Sequence, residues 1–307
     1  MGPANDRDGR QRGSRFSARQ RGISNDGLTS APPRSSSTSR SPTACYASGK
    51  QSTLESDLNL RIGYFLLASL FAGIAPLTAF AAPATEGEDA AIAESLAQML
   101  RSARTVISEN QSRIDDPAVG DKGLGGKVVL DLAIQKYKTS TKVDPDSIDP
   151  KSPQGKLLRA LMDAIVEVMN ENQTLINAPG NGFKGFIPAV FARLVDEAFG
   201  RRADGDAEIK VTAPLNLVRN RKARPDAWEA QVISTKLLQT DWPHGQPFSA
   251  MLQEGRPAFR VMVPEYYGES CLTCHGVPKG EIDKTGYPKE GAKLGDLGAV
   301  ISITLYH

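Results

Sequence analysis

Apolar positions change their spacing several times along the chain, and each change marks a segment. Residues 1–60 are rich in Arg, Ser, Gly, Pro and Asn and show no periodic apolar pattern. Such a stretch buries too little surface to offset backbone entropy and reads as disordered. The alternative is an extension of the reading frame upstream of the true start. No Met lies between Met1 and Met99, so a later start needs a non-Met codon. Residues 62–77 (IGYFLLASLFAGIAPL) are continuously apolar, with Arg61 before them and the small residues Ala79 and Ala81 after them. That order of charge, apolar run and small residues is that of a secretory signal peptide. Extended to Ala82, the stretch is also long enough to span a bilayer. The expectation is cleavage after Ala81, or retention as an anchor. Either places the rest outside the cytoplasm, in the periplasm, and contact with a membrane is expected only if 62–82 is retained. The domains expected are 1–60 (disordered extension), 61–81 (signal peptide or anchor) and 82–307 (one folded domain).

A spacing of three and four begins near Glu88. Ile92, Leu96, Met99, Leu100, Ala103 and Ile107 predict one helix to Glu109. Leu158, Leu161, Met162, Ile165, Val166 and Met169 predict a second over 155–172. Each helix leads into a similar segment, ENQSRIDDPAVGDKGL from Glu109 and ENQTLINAPGNGFKGF from Glu171. The offset of 62 holds without a gap, pairing Ile114 with Ile176, Pro117 with Pro179 and Lys122 with Lys184. A duplicated helix–loop–helix unit follows, with further helices over 126–137 and 188–199. The matching lysines acquire no role from matching alone. Beyond Arg202 the pattern alternates, predicting strands over 209–212, 258–264 and 299–305, with a helix over 226–238. The fold class expected is α+β, helical hairpins packed on a small antiparallel sheet.

Composition narrows the function classes. The 307 residues hold 37 Lys/Arg and 35 Asp/Glu. Ten and five of these precede Ala82, leaving 27 and 30, a net of −3, in the remainder. That balance, with no basic-aromatic surface pattern, argues against a nucleic-acid partner. Three cysteines cannot make a disulfide scaffold.

Chemistry concentrates in Cys271-Leu272-Thr273-Cys274-His275, a C-x-x-C-H motif that reads as covalent attachment of one haem c. Two thiols three residues apart reach two vinyl groups on one porphyrin edge, and the next residue then lies under the ring, where its imidazole can bind iron. Two rival readings stand beside it. A Cys-Cys-His-His zinc site would have to recruit His244 or His307, and a redox dithiol is usually found near a βαβ pattern, whereas here the motif reads as lying in a loop. Cys45 lies upstream of the expected cleavage, so the exported chain would keep only the motif's two thiols.

These residues resemble a known family, the exported c-haem-binding domain of unknown function with a PAS-like fold, found alone in the periplasm or as the input module of bacterial sensor kinases. The resemblance is carried by residues 211–229 (VTAPLNLVRNRKARPDAWE), 245–248 (GQPF), 258–276 (AFRVMVPEYYGESCLTCHG) and 291–305 (GAKLGDLGAVISITL), and it covers about 90–307. It implies a central antiparallel PAS-like sheet, a haem c and a redox or ligand-sensing role. It also implies a distal ligand. Many members carry Glu-Val-Cys where this chain has Glu167-Val168-Met169, seven residues before Ile176. The resemblance thus makes Met169 the second axial ligand beside His275, against the ordinary alternative of a core methionine on an apolar stripe.

Other residues complete the expectation. Arg219, Arg221 and Arg260 are candidates for the haem propionates, because a planar guanidinium matches a carboxylate; a solvated charge is the plain alternative. His244, in an exposed turn, and His307, at a frayed terminus, are weaker distal-ligand candidates. Tyr266 and Tyr267 either stack on the ring or fill the core. There is no phosphate loop, no Ser–His–Asp order and no helical His-Glu-x-x-His. The reading is a periplasmic monohaem c-type protein for single-electron transfer or redox sensing, with an unidentified redox or signalling partner. No output module is expected after the closing strand. The alternatives are a gas- or ligand-binding haem sensor and, least favoured, a haem enzyme.

Overall fold

The computed structural model describes residues 86–307. The expectations for 1–60 and for the export segment 61–81 lie outside the described residues. Helix α1 (Glu86–Glu109) opens with Glu86, Glu88 and Asp89, which suit the positive end of the helix dipole. Its buried stripe holds Ile92, Leu96, Met99, Leu100, Ala103 and Ile107. Helix α4 (Pro153–Glu171) starts on Ser152, whose hydroxyl accepts from Gly155 N at 3.0 Å, with Pro153 in the first turn. Between and after them come α2 (Gln111–Ile114), α3 (Gly126–Thr141), α5 (Gln173–Ile176) and α6 (Pro188–Arg202).

The duplication read from the sequence is structural. α1 and α4 end 62 residues apart, α2 and α5 keep that offset, and so do the starts of α3 and α6. The two loops also bond each other reciprocally. Lys122 N donates to Asn177 Oδ1 at 3.0 Å, and Lys184 N donates to Asp115 Oδ1 at 3.1 Å. Gln173 Nε2 donates to Leu124 O and Gln111 Nε2 to Phe186 O, at 3.0 and 3.3 Å. Gly123 and Gly185 both take positive φ, 63° and 70°, which a glycine adopts without steric cost. α1 packs on α3, α4 and α6, and α4 packs on α3 and α6, so the two hairpins share one interior.

A four-stranded antiparallel sheet follows, in the order β1 (Ala207–Thr212), β4 (Leu297–Tyr306), β3 (Ala258–Tyr266), β2 (Phe248–Leu252). The architecture is α+β. Alternation sends Phe259, Val261, Val263, Ile301, Ile303 and Leu305 into the helical core. Met262 and Val300 face the other way, under α7 (Ala227–Val232) and its π-helical continuation Ile233–Leu237, with Trp228 and Trp242 beside them. Asp226 and Glu229 close a capping box at the start of α7.

Strand β2 went unread in the sequence because FSAML is short, carries Ser and Ala, and lies half-exposed at a sheet edge. The C-terminus is not frayed. His307 N donates to Pro257 O at 2.9 Å, and its ring bonds Asp89 of α1 at 3.1 Å. Among the described residues no helix is long and apolar enough to cross a membrane.

Candidate functional site

The C-x-x-C-H motif is helical, not a loop. It forms α8 (Glu269–His275), which leaves the end of β3 through Tyr267 and Gly268. The β3–β4 register shifts between Glu265 and Tyr266, so Gly298 is passed over in the pairing. A Cβ on Gly298 would lie 2.5 Å from the Tyr267 ring, so glycine lets that ring rest against the β4 backbone. Tyr267 in turn stacks on His275, with ring centroids 4.8 Å apart and planes inclined by 25°. Ser108 on α1 meets Ser270 at 3.1 Å, tying α8 to the helical layer. Cys271 and Cys274 are free, partly exposed thiols, and their spacing of three puts both on one helix face.

The chain then returns along α8. Ala292 N donates to His275 O at 2.8 Å and Gly291 N to Gly276 O at 3.1 Å, which brings Glu290 to the imidazole. Nδ1 of His275 lies 2.8 Å from Glu290 Oε2 and 3.3 Å from the Tyr267 hydroxyl. A carboxylate acceptor there assigns the proton to Nδ1 and leaves the Nε2 lone pair free. Glu290 is gripped by Arg219 through Nε and Nη2, at 2.8 and 3.0 Å. The remaining Arg219 donors go to Asp283 Oδ2 (2.7 Å), Thr285 Oγ1 (3.3 Å) and Cys274 O (3.0 Å).

These contacts set the local charges. Burial pushes the Glu290 carboxyl up, but the bonds from Arg219 and His275 outweigh it and hold it below the usual range. Burial opposes ionisation of Asp283 as well, yet Thr285, Arg219 and the backbone N–H groups of Tyr287 and Thr285 keep it well below an ordinary carboxyl. Burial, then the Glu290 charge, raises the Tyr267 hydroxyl to about 12. Burial, then the Asp283 charge, raises the Cys274 thiol. The all-antiparallel sheet beside the motif weighs against the βαβ setting usual for a redox dithiol.

The profile of the Tll0287-like family matches residues 84–305. The chain belongs to the Tll0287-like family. No curated protein and no solved structure matches it.

In this Tll0287-like domain the other predicted site residues are dispersed. The propionate role expected of Arg219 gives way to a positioning one, because all five of its N–H donors are spent on the protein. Arg260 also differs from its expectation. It bonds Asp226 and Glu229 at 2.8 and 3.1 Å and lies over Trp228, six residues back along β3 from Tyr266, or about 20 Å at the usual strand rise. Arg221 lies exposed in a short 3-10 turn, two residues from Arg219. Met169 is fully buried in the large core, on the face of α4 that carries Met162 and Ile165, and is not part of the His275–Glu290–Arg219 cluster. Its counterpart in the first repeat is Ile107, also buried, so the position serves the bundle interior.

His244 stacks on Tyr266 at 3.8 Å, and His307 bonds Asp89. Neither joins the two thiols, and among the described residues no group of three or more His, Cys, Asp or Glu is disposed to hold a metal ion, so the zinc reading finds no ligand set. Tyr266 packs in the smaller core. Glu290 and Asp283 went unread because nothing in the spacing links a carboxylate 15 residues past the motif to its histidine. The return of the loop alone makes that link.

Proposed function

We propose that the domain is a monohaem c-type protein, exported to the periplasm, that exchanges single electrons or senses redox state. The observation that carries the reading is the disposition of one helical turn. Cys271 and Cys274 are free on one face of α8, and His275 presents Nε2 while Glu290 occupies Nδ1. That is the requirement for a histidine ligand oriented by its outer partner. The loop that returns to His275 also offers exposed apolar side chains that a flat apolar group would cover. Val277, Ile282 and Leu294 are 72%, 62% and 63% exposed. Cys271 and Cys274 would hold the haem through their sulfurs and His275 would ligate its iron. When bound, the haem supplies a one-electron couple.

The residues of the chain do the rest. Tyr267 and Glu290 fix the plane and tautomer of the imidazole, and Arg221 is the exposed guanidinium left to meet a propionate. Helices packed on a small antiparallel sheet accord with the PAS-like architecture expected for such domains. The position of Met169 favours one second reading. A methionine engaged in packing the bundle core supplies no thioether to a haem, which leaves room for a ligand-binding sensor acting through a partner.

The test is production of the exported chain in a host with c-haem maturation machinery. The expected product carries one haem by mass and by its reduced spectrum, and Cys271→Ala with Cys274→Ala abolishes attachment. A colourless product of unaltered mass overturns the proposal. Carbon monoxide then separates the two readings: a ferrous spectrum that ignores it marks a carrier, and rapid binding marks a sensor.

A further inference from the structure

We infer that Glu290 is the positioning residue for His275 and that Arg219 regulates the negative charge it presents, so that the two set the reduction potential of a haem held at Nε2. The inference rests on the haem reading above and adds a control to the same site. A neutral carbonyl at Nδ1 would orient the ring just as well. The chain instead places a carboxylate there, 2.8 Å away. A carboxylate draws the Nδ1 proton, increases electron density at Nε2 and favours the oxidised state of a metal bound to that nitrogen.

Arg219 opposes this. It bonds both oxygens of Glu290, and the Oε2 that receives His275 is the one that also receives Arg219 Nη2 at 3.0 Å. Arg219 is itself braced by Asp283, whose side chain has no exposure, and by the Cys274 carbonyl. The side chains of His275, Glu290 and Arg219 are 26%, 17% and 18% exposed, so solvent screens the exchange only in part. Donor strength at Nε2 is therefore a balance between an anion on the loop that wraps the motif and a cation that reaches it from the segment after β1.

The opposed charges predict opposed shifts. In the matured, haem-bearing protein at fixed pH, Glu290→Gln raises the midpoint potential, Arg219→Gln lowers it, and Arg219→Lys, which keeps the charge, stays nearer the wild type. The ferric electron paramagnetic resonance spectrum changes with them, towards a weaker imidazole donor in Glu290→Gln and a stronger one in Arg219→Gln. Coincident potentials, or shifts of the same sign in both Gln variants, overturn the inference, since a merely structural clamp would loosen alike from either side. If Glu290→Gln does not mature, the Arg219 pair carries the test, and equal potentials in Lys, Gln and wild type overturn it. A wild-type protein without attached haem is the different failure, that of the functional reading itself.

Discussion

Asp196, a half-buried residue, turns its carboxylate from α6 towards the sheet. Its Oδ2 accepts from Val211 N on β1 at 3.1 Å, and its Oδ1 is buried without a partner. Burial dominates and pushes its carboxyl up to about 8, against the pull of the Val211 N–H and the Arg104 charge. The sign of the linkage follows. An acid whose folded pKa exceeds its unfolded one stabilises the fold fully below the unfolded value, near 3.8, and loses that contribution as pH rises towards 8. The slope attributable to one such group is at most about 1.4 kcal/mol per pH unit. Asp196→Asn removes it while keeping an oxygen for Val211. The difference in unfolding free energy between variant and wild type should therefore grow in the variant's favour from pH 5 to pH 8. A difference that stays flat across that range would place Asp196 in an ordinary ionised state. At the same scale, Gly298 shows how an absent side chain builds the site, because the Tyr267 ring occupies the space a Cβ would need.

The duplicated loops act as elements. Each folds a lysine inward onto its own carbonyls: Lys122 onto Asp116 and Val119, Lys184 onto Ala178 and Asn181. Lys122 has no solvent exposure and Lys184 only 7%. The ammonium therefore acts as the hub that holds the loop's carbonyls, a purpose that a pairwise match in the sequence leaves open. Replacing Lys122 with Met strands those acceptors in the interior, at about 1–3 kcal/mol for a lost buried partner. Lys184→Met should lose stability of the same sign, as the offset of 62 requires. Urea unfolding of the two variants checks this, and a Lys122→Met protein as stable as wild type would remove the hub role. α7 shows the complementary case. Its capping box was implicit in Asp226 and Glu229, three residues apart, but its π-helical continuation was not, because no apolar spacing distinguishes it from an α-helix.

Across the molecule, one large core spans the helical layer and the inner face of the sheet, from Leu100 and Phe191 to Phe259 and Ile301. Glu265 on β3 reinforces that joint. Its Oε1 accepts from Arg101 Nε and Nη2 at 2.8 and 2.5 Å, and its Oε2 from Arg104 Nη1 at 2.9 Å. Glu265→Ala leaves two guanidiniums facing each other, at a cost of about 1–2 kcal/mol given their partial exposure. Both tryptophans of the chain lie on the far face of the sheet, so their fluorescence reports there while far-ultraviolet circular dichroism reports the helices. In Glu265→Ala the two signals should fall together to a lower denaturant midpoint. Separate midpoints would show that the bundle and the sheet unfold as independent units.

The sequence by itself determined what rests on local repetition and period. The main helices followed from the spacing of three and four, the duplicated unit from an ungapped match, and three of the four strands from alternation, because each period selects which side chains share a face. It also picked out Cys271, Cys274 and His275, since their relation is local to one helical turn. Only the tertiary structure decided what depends on residues distant in the chain. It buried Met169 in the bundle, committed Arg219 to Glu290 and Asp283, moved Arg260 away along β3, and brought Glu290 to the histidine. Those outcomes turn on where loops return and which charges neutralise one another once water is excluded, and neither leaves a period in the chain.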